Sequence, residues 1–305
     1  MNYAEKNEKK QYFASVDVAR SIGIFLVVLG HAFPDASLEG GIQNNVWRIV
    51  YHIIYSFHMP LFVFLSGFVS DVYSIDVCDC CNRVKKKFKR LMIPYFCWGI
   101  LYIPFRILLA QYASAEFNIK RLWRILIGEN PYSGLWFLYA LFTISFIHIW
   151  LIKSDKKLSI GFIISILMLI IGKYTNIIEP IKWVFLYLFY YLLGVYFHKY
   201  YAEICKVIKN KGRLFLTGCI FVVLFFLNYQ FKTCVSGFLN IIIAISGLLV
   251  VFVISEYLSN IEFLTQIGKY GMDIFIMSGP VLVFLRIVLY KFVGIQYTLY
   301  VIVAT

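Results

Sequence analysis

The run Ile22-Gly23-Ile24-Phe25-Leu26-Val27-Val28-Leu29, entered through Val16-Asp17-Val18-Ala19-Arg20 and left through Gly30-His31-Ala32-Phe33, decides how this chain folds. Its middle is apolar all the way round, so a helix built from it has no face to offer to water. With its flanks it extends from Ser15 to Phe33, close to the roughly 20 residues that cross the hydrocarbon core of a bilayer. A helix placed there satisfies all its backbone polar groups internally. A cleaved signal peptide is a poorer reading, because no small-x-small cleavage site follows and Asp17 and Arg20 interrupt the approach.

Working outward, the same signal recurs along the 305 residues, which are 61% apolar and 19% aromatic with a mean hydropathy of +0.77. That is well above the roughly half-apolar composition of a water-soluble domain. Further spans are predicted at Val46–Val72, Leu91–Tyr112, Gly134–Ile152, Leu158–Lys173, Trp183–Tyr200, Leu214–Gln230, Val235–Tyr257 and Asp273–Phe292. A last apolar run, Tyr297 to Thr305, is too short to cross. The expected fold is an all-α integral membrane bundle of about ten helices, nine complete and one short. It forms one domain, residues 15–305, behind a polar tail, residues 1–14. The stretch Phe117 to Ile127 is amphipathic and is expected to lie along the membrane surface.

The net charge of +13 is informative through its placement. Lys and Arg gather in short polar stretches between apolar runs, at Arg83 to Arg90, Lys153 to Lys157 and Lys199 to Arg213. This bias puts those stretches and the N-terminus in the cytoplasm. No basic face interleaves with exposed aromatics over a soluble segment, which argues against a nucleic-acid partner. The seven cysteines are scattered and odd in number, which does not describe an extracellular disulfide framework. Cys78, Cys80 and Cys81 have no second Cys or His pair at zinc-site spacing, so no metal is expected.

Arg20 and His31 stand eleven positions apart on the first helix. Eleven steps of about 100° return to within roughly 20° of the starting direction and rise about 16 Å, so the two share a face at opposite depths. Ionisable groups inside a span are costly and turn toward a protein interior or a watery cavity, which makes them functional candidates. The second helix adds His52 and His58, the latter followed by Met59-Pro60-Leu61-Phe62, where Pro60 is expected to bend the helix or free a carbonyl. A short connection makes the first two helices neighbours, so His58 is expected near His31. Ser66, next to Gly67, reads as a small-residue helix contact and not as a nucleophile.

The run Val16-Asp17-Val18-Ala19-Arg20 with His31 ten residues beyond the arginine resembles the signature of the acyltransferase 3 family of bacterial membrane proteins. The segment Ser56-Phe57-His58-Met59-Pro60-Leu61-Phe62 with Ser66-Gly67-Phe68 resembles the second helix of its fucose 4-O-acetylase-like members. Arg90-Leu91-Met92-Ile93-Pro94-Tyr95 and Leu135-Trp136-Phe137-Leu138 are also similar. The resemblance is good over residues 13–98 and looser over the rest. One departure is a late-helix histidine of the family, absent from Ile267 to Pro280.

The resemblance implies transfer of an acyl group, usually acetyl from acetyl-coenzyme A, to a carbohydrate hydroxyl at a bacterial cytoplasmic membrane. No tightly bound cofactor is implied. On this reading His31 is the base that deprotonates the hydroxyl, Arg20 orients the donor, and His58 orients His31 or binds the oxyanion. Asp17, Lys86, Lys87 and Arg90 fall on the donor side, and Trp136 and Tyr139 offer stacking surfaces to the acceptor. A rival class is a transporter or flippase for sugars or lipid-linked glycans, with Arg106 and Arg286 along its pathway. No internal repeat of the kind common in transporters supports it.

Overall fold

A computed structural model describes residues 12–33, 42, 44–70, 77–108, 119–151, 155–208, 211–231 and 236–305. Every regular element among them is helical. The first span forms α1, Ala14–Ala32, and the second α2, Asn45–Phe68, which starts with the Asn44 side chain accepting from the amides of Val46 at 3.0 Å and Trp47 at 3.2 Å. This is the N-cap role that an asparagine fills best. Helix α2 continues across Pro60.

The third span begins earlier than the apolar pattern predicts. Helix α3, Val77–Lys87, runs through a π-turn at Phe88–Met92 into α4, Ile93–Leu101, and α5, Ile103–Leu108. Cys80–Leu108 is long and apolar enough as one unit to cross the membrane. The basic run from Arg83 to Arg90, read from hydropathy as a loop, is therefore helical. Lys and Arg are good helix formers, and their long stems let a helix continue while the charged heads reach water.

A 3-10 helix at Ile119–Ile127 follows, the described part of the stretch expected to be interfacial. Trp123 and Leu126, three residues apart and so on one ridge of such a helix, are 59% and 66% exposed, while Ile125 is buried. The remaining elements are α6, Trp136–Leu151; α7, Asp155–Tyr174; α8, Glu179–Lys199; α9, Tyr201–Ile208; α10, Lys211–Phe231; α11, Ser236–Tyr257; α12, Glu262–Lys269; and α13, Gly271–Leu285. A second π-turn, Arg286–Phe292, leads to the short α14, Tyr297–Ala304. Among the described residues, nine helices are long and apolar enough to cross a membrane. Helix α14 instead packs on α1, with Tyr300 and Val301 fully buried.

Helix α1 is the axis of the bundle, packed by α2, α11, α12 and α13, with Val16, Val18, Ala19, Ile24 and Val27 buried. Between apolar helices in lipid, association rests on close packing, which small residues allow. Gly67 of α2 and Gly194 of α8 show this reciprocally. A Cβ at Gly67 would run into the Tyr191 carbonyl oxygen, and one at Gly194 into that of Phe64. The junction is closed by His198, whose Nδ1 donates to the Phe68 carbonyl at the end of α2. In the same way Gly268 of α12 lies against the Asp17 carbonyl of α1, where no side chain fits. That contact brings the turn between α12 and α13, more than two hundred residues away in sequence, beside Arg20.

Candidate active site

Helix α1 places Arg20 and His31 in different cavities. At the end of the bundle carrying residues 83–90, here the basic end, Arg20 lines a cavity of about 860 Å³ of partly open space. Met59 and Phe62 of α2 and Phe137 and Leu141 of α6 supply its apolar wall. Lys87, Arg90 and Lys269 supply three further cations. Lys87 and Arg90 come from the last turn of α3 and the π-turn after it, the kind of widened turn that often marks a functional position. Lys269 closes α12.

Asp17 is buried and its Oδ1 accepts from Arg20 Nη1 at 2.7 Å, one turn away on α1. Asp17 thus faces Arg20 and does not line the cavity, whose lining side chains include no carboxylate among the described residues. Four cations around one opening have the charge and donors that suit an anionic group such as phosphate, and a guanidinium held by a carboxylate is fixed in orientation. Lys86 is exposed and lies away from the lining. Ser66 lines the cavity, but its hydroxyl donates to the Phe62 carbonyl at 2.8 Å.

His31 lines the second cavity, about 900 Å³ of partly open space at the opposite end. Its Nδ1 lies 2.8 Å from the Val27 carbonyl oxygen. A carbonyl only accepts, so Nδ1 carries the proton of this bond and the neutral ring keeps its lone pair on Nε2. That is the protonation state of a general base. Arg286 anchors the end of the helix that bears it, Nη2 donating to the His31 carbonyl at 3.2 Å and the Phe33 carbonyl at 3.5 Å. A cation there satisfies carbonyls left open at a helix C-terminus and complements its dipole.

His58 is buried, its Nδ1 donating to the Ile54 carbonyl at 2.9 Å, and it lines neither cavity. Tyr55 stands between the two histidines, its ring centroid 4.8 Å from that of His58 and 6.3 Å from that of His31. The structure therefore brings His58 to the back of a tyrosine that touches His31. Trp136 lines the His31 cavity and is backed by Trp183 at 5.1 Å. Tyr139 points elsewhere, its hydroxyl 3.5 Å from the Leu126 carbonyl oxygen.

Sequence reasoning missed several of these residues. Lys269 belongs to a segment noted only for its absent histidine. Arg106 and Arg286 line the His31 cavity, whereas the sequence alone points to them only as pathway residues of a transporter. Phe275, which lines both cavities, looks in sequence like any other apolar helix residue.

Among the described residues, nine membrane-length helices, with a cation-lined cavity at one end and a histidine-bearing one at the other, define a polytopic all-α membrane protein. Residues 13–305 match the acyltransferase domain family, and the chain belongs to that family. A curated relative, nodulation protein NolL of Mesorhizobium japonicum (strain LMG 29417 / CECT 9101 / MAFF 303099), is 30% identical over 152 residues, covering 49% of this chain. The matched region spans only 38% of that relative's length. No solved structure matches the chain.

Proposed function

We propose that this protein transfers an acyl group, acetyl first among candidates, from a coenzyme A thioester to a hydroxyl of a cell-surface or lipid-linked carbohydrate. The observation that carries the reading is that α1 presents Arg20 to one cavity and His31 to the other. Family membership supports the reaction class. The basic end is the cytoplasmic one, by the positive-inside bias, and the membrane is the bacterial cytoplasmic membrane.

The donor's phosphates lie among Arg20, Lys87, Arg90 and Lys269, with Asp17 holding Arg20 in place. Exposed Lys86 adds to the field that draws an anionic donor in. The thioester arm reaches toward the second cavity, where the acceptor sugar rests against Trp136. His31 Nε2 takes the hydroxyl proton as the oxygen attacks the thioester carbonyl carbon. A C–O bond forms, the C–S bond breaks, and the proton passes from His31 to the departing sulfur. Tyr55 and His58 keep the imidazole from turning away. Tyr139 supports the wall of the acceptor side and does not touch the sugar.

The test is the O-acetyl content of surface polysaccharide from cells carrying the intact protein, His31→Ala, or no protein. Acetylation that is present with the intact protein, strongly reduced with His31→Ala and absent without the protein supports the reading. Equal acetylation in all three overturns it.

A further inference from the structure

Phe275 is the one side chain that lines both cavities among the described residues. Its ring meets Phe137 edge-on at 5.9 Å, and Phe137 meets Phe62 edge-on at 6.1 Å. Rings from α2, α6 and α13 thus form a continuous row in the lining of the cationic cavity.

The backbone beneath Phe275 is held by a specific device. Pro280 has no N–H, so the carbonyl four residues earlier, that of Ile276, loses its helical donor. The Tyr132 hydroxyl supplies the missing donor at 3.2 Å. It gets there because residue 279 is glycine: a Cβ at that position would collide with the same hydroxyl. Tyr132 is itself buried, with its ring stacked on Tyr102 at 4.7 Å. A proline, a glycine and a tyrosine together fix the turn of α13 that carries Phe275.

We infer that Phe275 is the stop against which the donor's acyl carbons lie, so that it sets the length of acyl group the site accepts. The inference rests on the acyl-transfer reading and adds a specificity-determining residue to it. A thioester reaching from Arg20 toward His31 has to pass the row of rings. A two-carbon group fits beside the Phe275 ring, whereas each added methylene must displace a ring whose backbone cannot yield.

The experiment measures binding of acetyl-, butyryl- and hexanoyl-coenzyme A to the detergent-purified full chain and to Phe275→Ala, Phe275→Trp and Arg20→Ala. The intact protein is expected to favour acetyl over hexanoyl by at least about tenfold, the range in which a pocket discriminates added methylenes. Phe275→Ala is expected to shrink that preference to within about threefold, and Phe275→Trp to widen it. If Phe275→Ala does not purify as a folded protein, Phe275→Leu makes a milder change in the same direction. A preference unchanged in the trimmed variant, or the same affinity for all three donors in the intact protein, overturns the role of Phe275 and leaves the acyl-transfer reading standing. No binding by the intact protein, or equal binding by Arg20→Ala, overturns the acyl-transfer reading and the inference with it.

Discussion

At the scale of the residue, the chemistry of His31 comes from a backbone carbonyl. Val27 O holds the Nδ1 proton, so Nε2 is left as the basic atom of a ring that lines the cavity. Replacing His31 by alanine should lower transfer by about 10² to 10⁴, the usual contribution of a positioned base, and leave donor binding within about twofold of the intact protein, a change worth well under 1 kcal/mol. Asp17 acts one step back. Asp17→Asn loosens an Arg20 guanidinium that is itself about a quarter exposed. It should weaken acetyl-coenzyme A binding roughly fivefold, about 1 kcal/mol, as read from the isotherm, with a smaller effect on the maximal transfer rate. Arg20, His31 and their spacing were legible in the sequence, because a helix converts eleven positions into a shared face by geometry alone. Lys269 was not. Its place beside Arg20 depends on Gly268 meeting the Asp17 carbonyl, a contact that no local pattern encodes.

At the scale of the element, small residues decide which helices touch. Gly67→Ala places a methyl group on the Tyr191 carbonyl oxygen, and overpacking of this kind typically costs about 1–3 kcal/mol. The thermal unfolding midpoint of the purified protein should fall, and Gly194→Ala should lower it similarly because it strikes the other side of the same contact. Tyr132→Phe removes the donor to the Ile276 carbonyl. Leaving that carbonyl without a partner should cost about 1–3 kcal/mol and speed amide exchange in α13. Eight of the nine spans follow closely from the apolar runs, since a bilayer demands helices of nearly fixed length. The third helix starts earlier than hydropathy indicates, because hydropathy counts charges as breaks whereas the helix from Val77 carries Lys85, Lys86 and Lys87 in its last turn without interruption. The ring of Phe275 was invisible for the opposite reason, since nothing in its own segment tells it from any other apolar side chain.

At the scale of the whole molecule, the bundle separates two chemical environments and joins them along one helix. A donor held by Arg20, Lys87, Arg90 and Lys269 is held mainly by charge, so its affinity should fall as salt rises, as expected for partly exposed ionic contacts. An acceptor resting on Trp136 should show little salt dependence. On the proposed function, Arg20 serves the donor while His31 serves the transfer. This division is tested most directly by measuring acetyl-coenzyme A binding and glycan O-acetylation for the intact protein, Arg20→Ala and His31→Ala. Arg20→Ala should lose both binding and acetylation, while His31→Ala should bind the donor normally and acetylate about 10² to 10⁴ times more slowly. Normal acetylation by His31→Ala, or undiminished donor binding by Arg20→Ala, would contradict this division.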